Sequence, residues 1–372
     1  MKQGLNRIFR LIWNETLGAW VAVAEHARGK GKRANRRLAL LISASLCAAN
    51  SPAMAGPTGG QVMSGNASIT TPSAGNTVIN QTTNQAIINW AGFNIGATES
   101  VRFNQPASNA ATLNRVLDSN PTSILGSLSA NGRVFVVNPN GVVFGNNARV
   151  DVGAMVASTL AIADADFNAG RLRFMQSGAA GDVINQGQLA TANGGFIALI
   201  GKRVRNEGSI TTPGGVSALA AGSKVTLDMA PNAAAPVVVG GEISGATIES
   251  VGAIRAQDGQ IILSARAADA GLRNIINHTG IIEATGITTR GGRIVLEGGF
   301  NGSVSVAGKL DASSAAAAGG QVQVSANAVA IQSGASIDVR GATGGGTATL
   351  GSNYTEANRA VRTARVLDVE AG

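Results

Sequence analysis

The chain has 372 residues, among them 50 glycines, and only 3% aromatic side chains, so it cannot fill a thick globular core and suits a slender one of Val, Ile, Leu and Ala. The formal charge of +8 points at first to a polyanion binder, but residues 1–55 hold nine of the 29 lysines and arginines against Glu15 and Glu25, leaving +1 for the rest. The case for a nucleic-acid partner therefore goes with the first 55 residues.

In chain order, residues 1–27 come first, "MKQGLNRIFRLIWNETLGAWVAVAEHA". Ile8, Ile12, Trp13, Leu17 and Trp20 fall at helical spacing, which reads as an amphipathic helix. Residues 28–55 then follow the plan of a secretory signal peptide: basic "KGKRANRR", apolar "LALLISASLCAAN", and the small-residue site "SPAMA" with cleavage between Ala55 and Gly56. The apolar run is shorter than the ~20 residues a membrane span needs, so it addresses the chain to the inner-membrane Sec machinery. The sole cysteine, Cys47, lies inside that run, so the mature chain carries no thiol. Leu46 before it argues against lipoprotein processing.

Residues 56–180 read as an N-terminal cap with extra hairpins. Phe93, Ile95, Val101 and Phe103 alternate in "FNIGATESVRF" as a strand does, and "AIADADFNAG" reads as an extruded loop. "VFVVNPNGVVFG" places apolar runs around Asn138, Pro139, Asn140 and Gly141, which match a type I turn followed by a left-handed glycine. Val134–Val137 and Val142–Phe144 are apolar at consecutive positions, as in strands covered on both faces.

From residue 181 to 372 the sequence repeats. A glycine followed by apolar residues two and four positions later recurs at Gly195, Gly215, Gly259, Gly292, Gly320 and Gly346. Each copy is preceded by a second glycine, Gly187, Gly208, Gly252, Gly280, Gly308 and Gly334, with the interval of 44 between Gly208 and Gly252 counted as two repeats. A period in the twenties with glycine corners is that of a β-solenoid. We assign the glycines, with Asn185, Asn206 and Asn277, to corners of positive φ, and expect a rod of roughly a dozen rungs, on the order of 60 Å long. "ARVLDVEAG" has no polar cap and reads as a truncated end.

Chemistry is sparse. The mature chain has one histidine, His278, and one tyrosine, Tyr354, which removes most nucleophile–base pairs. His278 reads as a structural or solvated residue at a corner. Asp164 and Asp166 would be the carboxylates of a β-helix polysaccharide lyase, although one Asp-x-Asp in an Ala-rich loop reads first as solvated. Lys202, Arg203 and Arg205 read as a solvated strand face, and "GATGGG" lacks the Lys-Ser/Thr of a phosphate loop. No cofactor and no metal are implied.

Two resemblances sharpen these readings. "LNRIFRLIWNETLGAWVAVAE" resembles the extended signal-peptide region of very large exported proteins of Gram-negative bacteria, through Trp13, Asn14, Trp20, Val21, Ala22, Val23 and Glu25. Residues 88–159 resemble the secretion domain of two-partner-secretion exoproteins, the filamentous-haemagglutinin-like family and its high-molecular-weight-adhesin branch. That resemblance implies an all-β, right-handed parallel β-helix. It further implies a chain that crosses the periplasm unfolded, is recognised by the POTRA domains of a cognate outer-membrane β-barrel transporter, and folds outside the cell or at its surface. The family's N-P-N-G motif falls on Asn138, Pro139, Asn140 and Gly141; its N-P-N-L motif is absent, with "SNPTS" at Asn120 and Pro121 nearest to it. The expected function is that of an adhesin or haemagglutinin, without enzyme activity. A toxin-delivery or haem-acquisition exoprotein shares the same secretion domain, and the lyase stands third. Neither the binding target on a host or neighbouring cell nor the transporter-contacting residues can be read from the sequence.

Overall fold

The computed structural model describes residues 9–14, 19–24, 56–178, 180–228, 236–269, 275–287, 291–351 and 364–371, in two units, 1–53 and 54–372. In the first unit Phe9–Asn14 and Ala19–Ala24 pair antiparallel, with Trp13 opposite Trp20. The helical spacing thus gives way to two strands. Their β-branched and aromatic residues favour strands, and Gly18 between them weakens a helix by about 1 kcal/mol relative to Ala. Glu25, Cys47, Ala55, Tyr354 and the signal-peptide stretch lie outside the described residues.

In the second unit the chain winds through ten coils, each adding one short stretch to each of three parallel faces. The first face runs from Asn76–Gln81 to Ser336–Asp338 and the second from Gln85–Trp90 to Thr347–Leu350. The third ends at Val366–Val369 and starts where Ile95 bridges to Ile124. This is a parallel β-helix, wound in the right-handed sense that parallel crossovers adopt. Ten coils at about 4.8 Å make a stack of roughly 45 Å, shorter than the dozen rungs expected.

The difference lies in two excursions. Between the second and third faces of coil 4 the chain leaves the helix as Ala161–Ile162, helix α1 (Asp164–Asn168) and Leu172–Met175; at the same place in coil 6 it leaves again as Lys224–Leu227 and Val237–Gly241. The four strands form one antiparallel sheet. The interval of 44 is therefore one coil plus an excursion, and the expected loop at 164–168 is a short helix. At the N-terminal rim, Gln61–Ser64 lies antiparallel on Gln85–Trp90, Ala67–Ser73 on Asn76–Gln81, and Thr58 on Gly92. These strands pair the exposed edge of coil 1.

The repeat alignment holds residue for residue on the second face. Ile197, Ser217, Ile261, Ile294, Val322 and Ala348 form one stacked column, and Leu199, Leu219, Leu263, Leu296, Val324 and Leu350 the next. The role of the glycines differs from the expectation. Gly187, Gly208, Gly252, Gly280 and Gly308 stack on one another at φ below zero, and a Cβ on Gly208 would stand 2.1 Å from the Gly187 carbonyl oxygen, one on Gly308 2.2 Å from that of Gly280. Close axial approach, not positive φ, demands glycine there. In coil 10 this place is taken by Ala335, since Ser336 pairs with Lys309, while Gly334 one residue earlier takes φ +86°.

Asn185 and Asn206 likewise have no positive φ. They begin a buried polar column on the inner side of the third face, Asn185, Asn206, Ser250 and His278, in consecutive coils. Asn185 Nδ2 donates to Asn206 Oδ1 at 2.8 Å. His278 is fully buried at a strand end; its Nε2–H donates to the Lys309 carbonyl (3.1 Å), and its Nδ1 accepts from the Ser250 hydroxyl (3.3 Å). Asn277 sits beside it on the half-exposed side.

Burial holds the His278 pKa below the ordinary 6.5, so the unfolded chain binds more protons in acid. The stability this residue contributes is complete above pH 6.5 and is lost as pH falls through 6.5 toward the lowered folded value. Denaturation curves of wild type and His278→Asn should diverge below pH 6.5, wild type losing up to about 1.4 kcal/mol more per pH unit; parallel pH profiles would contradict this.

Candidate functional site

The strand Arg133–Val137 ends at the corner between the second and third faces of coil 3, and the four motif residues make that corner. The Asn138 carbonyl accepts from Gly141 N–H at 3.1 Å, closing the expected turn. Gly141 has φ +132°, a glycine conformation outside the left-handed helical region that the sequence suggested.

Asn138 is fully buried and every polar atom it has is used. Its Oδ1 accepts from Asn140 N–H (2.9 Å), and its Nδ2 donates to the Asn120 carbonyl (2.9 Å) and to Thr122 Oγ1 (3.0 Å). Its backbone N–H donates to the Ser158 carbonyl at 3.0 Å. Asn140 Nδ2 donates to the Asp118 carbonyl at 2.9 Å, and the Pro139 carbonyl accepts from Gly181 N–H at 2.9 Å. The turn thus ties coil 3 to coil 2 on one side and coil 4 on the other. Asn120 and Pro121 of "SNPTS" form the corner directly beneath it, with Pro121 Cβ 3.2 Å from where a Gly141 Cβ would stand. Only Pro139 and Asn140 keep partial exposure.

The strand leading into this corner has no wet side. Val134 and Val136 point into the helix core, while Phe135 and Val137 belong to a second buried cluster on the outer side of the second face. Outward-facing Ile87, Leu113, Phe135, Val156, Ala198, Ala218, Ile262 and Val295 stack in register through coils 1 to 8. Gln323 and Thr349 continue the column in coils 9 and 10.

The antiparallel sheet of the two excursions covers this column, inserting Ile162, Phe174, Val225, Leu227, Val237 and Val239. Phe167 of α1 packs edge-on against Phe135, ring centroids 5.3 Å apart. Gln85 Nε2 of coil 1 donates to the Phe167 carbonyl (3.0 Å), and Arg115 Nη2 of coil 2 donates to the Ile162 carbonyl (3.2 Å). A segment that leaves the helix within coil 4 therefore folds back over coils 1 to 3.

The consecutive valines at 134–137 signalled strands covered on both sides, and the sequence located that much. It missed the cover itself, because the partners of Phe135 lie 32 and more residues further along. Val143 of the third face is half-exposed, so double coverage belongs to the second face alone.

The acidic pair is committed elsewhere: Asp164 binds Arg115 and Asp166 binds Arg171. Arg203 and Arg205 lie on the outer side of the third face, Arg203 bound to Asp182 and Arg205 to Glu207 and Glu249. Among the described residues no group of three or more His, Cys, Asp or Glu could hold a metal ion.

A sequence profile of the TPS secretion domain matches residues 53–312, and one of the Extended Signal Peptide of Type V secretion system matches residues 6–53. The crystal structure of the HMW1 secretion domain from Haemophilus influenzae superposes with a TM-score of 0.74 at 29% identity, covering 85% of this chain and 82% of that one. Two Heme/hemopexin-binding proteins of Haemophilus influenzae are 30% identical over 248 residues and 26% identical over 254 residues. Those stretches cover 64% and 62% of this chain but 27% of each relative. With an export address at its N-terminus, this chain is carried across the envelope of a Gram-negative bacterium to the surface or the medium. The chain belongs to the TPS secretion domain family.

Proposed function

We propose that the chain is the secretion-competent part of an adhesin- or haemagglutinin-type exoprotein, and that its transporter recognises it through periplasmic POTRA domains. The observation that carries the adhesin reading is the likeness to the HMW1 secretion domain across most of both chains. Haem acquisition is the second reading, favoured by the two Heme/hemopexin-binding relatives. Within the described residues His278 does not serve as a haem ligand, since it is buried with both ring nitrogens bonded. The role is non-catalytic: Asp164 and Asp166, the carboxylates a lyase would use, are each held by an arginine.

The division into an export address (1–55), a cap and secretion core (56–180) and repeats (181–372) is part of the same reading, as are signal cleavage between Ala55 and Gly56 and a role of Trp13, Asn14, Trp20, Val21 and Glu25 in inner-membrane export. N-terminal sequencing of the exported protein should return Gly56 as its first residue; a start elsewhere would move the boundary. Co-expression with the cognate transporter should be necessary for export, and release without it would overturn transporter recognition.

Asn138, Pro139, Asn140 and Gly141 act in secretion through the coils they join. Asn138→Ala removes the side-chain partner of the Asn120 carbonyl, of Thr122 Oγ1 and of the Asn140 N–H, at about 1–3 kcal/mol. Refolding in vitro and secretion should fall together in this variant. Lost secretion with intact refolding would show instead that the motif is a direct transporter contact.

A further inference from the structure

On the outer side of the first face, opposite charges in adjacent coils bind each other: Arg255 of coil 7 meets Glu283 of coil 8 at 2.9 Å, and Lys309 of coil 9 meets Glu283 at 3.2 Å. Arg102 of coil 2 and Asp151 of coil 4 break that pattern. Both register on Ser129 of coil 3, so two coil steps, about 9.5 Å, hold them apart. Their other ladder neighbours, Val78 and Ala190, carry no charge. Both are exposed, and among the described residues neither side chain has a hydrogen-bond or ion-pair partner. The ladder thus leaves one guanidinium and one carboxylate unfilled, with a half-exposed hydroxyl between them.

These three side chains line an open groove of about 390 Å³ that crosses coils 2 to 4, bounded toward the second face by Asn104, Gln105 and Asn131. That boundary is fixed in place. Asn131 Oδ1 accepts from the Gln105 N–H at 2.8 Å, and Asn131 Nδ2 donates to the Gln105 carbonyl at 2.7 Å. Asn104 donates its Nδ2 to Asn80 at 2.8 Å, which leaves its Oδ1 open. Gln105 is 7% exposed; its Nε2 donates to Thr112 Oγ1 (3.0 Å) and to the Arg133 carbonyl (3.1 Å), while its Oε1 has no partner among the described residues. Unsatisfied buried acceptors are rare in folded proteins, and one of them stands in the wall of this groove.

The groove offers donors and acceptors together, from Arg102, Ser129, Asp151 and Asn104 Oδ1. A phosphate or sulfate would suit Arg102 and be repelled by Asp151, and a metal ion or amine would meet the reverse. Sugar hydroxyls both donate and accept without carrying charge, so they satisfy both ends at once. One coil step of about 4.8 Å is also close to the length of a pyranose ring along a linear glycan, so three coils present a short run of sugar positions. Phe103 is 1% exposed beneath the groove and offers no ring to stack on, so hydrogen bonds carry the recognition.

We propose that this groove, through Arg102, Asn104, Ser129 and Asp151, binds a neutral glycan segment once the coils have stacked outside the cell. The excursion sheet lies over the second face and leaves this surface open. The site gives the folded domain a binding activity beyond its part in export, and it stands under either reading of the exoprotein.

The test uses the exported chain, isotope-labelled and recovered from the medium, titrated with cellotriose, maltotriose and mannotriose while amide resonances are followed. At least one trisaccharide should shift the amides of residues 102–105, 129–131 and 151 saturably and leave those of the excursions unmoved. Arg102→Ala and Asp151→Ala should each weaken that binding about tenfold, as expected for the loss of a hydrogen bond to a charged group. Arg173→Ala, which removes an exposed cation of the excursion sheet, should leave it unchanged. No shift with any of the three sugars at tens of millimolar, or shifts confined to another surface, would overturn the inference. Inorganic sulfate supplies the remaining arm: an anion that shifts the same amides and binds Asp151→Ala more tightly than wild type would make this an anion site and overturn the assignment to a neutral glycan.

Discussion

A coil of this chain has nothing to fold against except the next coil. Each short strand can pair its two backbone edges only with the strands above and below, and each inward Val, Ile or Leu is covered only when its neighbours in the column are in place. In-register stacking is therefore the constraint from which the other features follow. Gly187 to Gly308 form a column because the backbone there approaches its neighbour too closely for a Cβ. The inner polar column is tolerated because Asn185 bonds Asn206 and His278 bonds Ser250, each across one coil step. The antiparallel strands at Gln61–Ser64 and Ala67–Ser73 give coil 1 the pairing that a preceding coil would have supplied.

Upon this common plan the second face adds something a plain solenoid lacks. Its strands in coils 1 to 8 are apolar on both sides, so the chain must furnish a second layer, and it does so from two excursions far apart in sequence. The Asn138 corner stands where these demands meet. It links coils 2, 3 and 4 through backbone and side-chain bonds, and it follows the strand whose Phe135 and Val137 the second layer covers. A role in secretion need not be a contact made by the motif itself. A turn that fixes three coils determines whether the outward apolar column beside it is assembled at all.

How much of this the sequence disclosed depended on the range of the interaction. The stacked columns were legible because their signal is local and repeated: a glycine, then apolar residues two and four places on, aligned Ile197 with Ser217, Ile261 and Ile294 as the structure does. The turn at Asn138 was legible for the same reason. The excursions were legible only as interruptions of the period, so that one was read as an extra repeat and the other as a loop. Close approach between coils leaves no mark in the sequence that distinguishes it from positive φ. The cover over Phe135 was beyond reach, because nothing near residues 167 or 174 indicates that they fold back on coils 1 to 3.

Native-state hydrogen exchange along the second face tests most directly whether two-sided coverage is what sets the matched region apart from the coils beyond it. The amides of Arg133–Val137, Ala154–Ser158, Phe196–Gly201 and Val216–Ala221 lie between the inner core and the excursion sheet and should exchange only through global opening. Those of Gln321–Ser325 and Thr347–Leu350 should exchange through local opening at much lower free energy. Uniform protection from coil 1 to coil 10 would contradict the account.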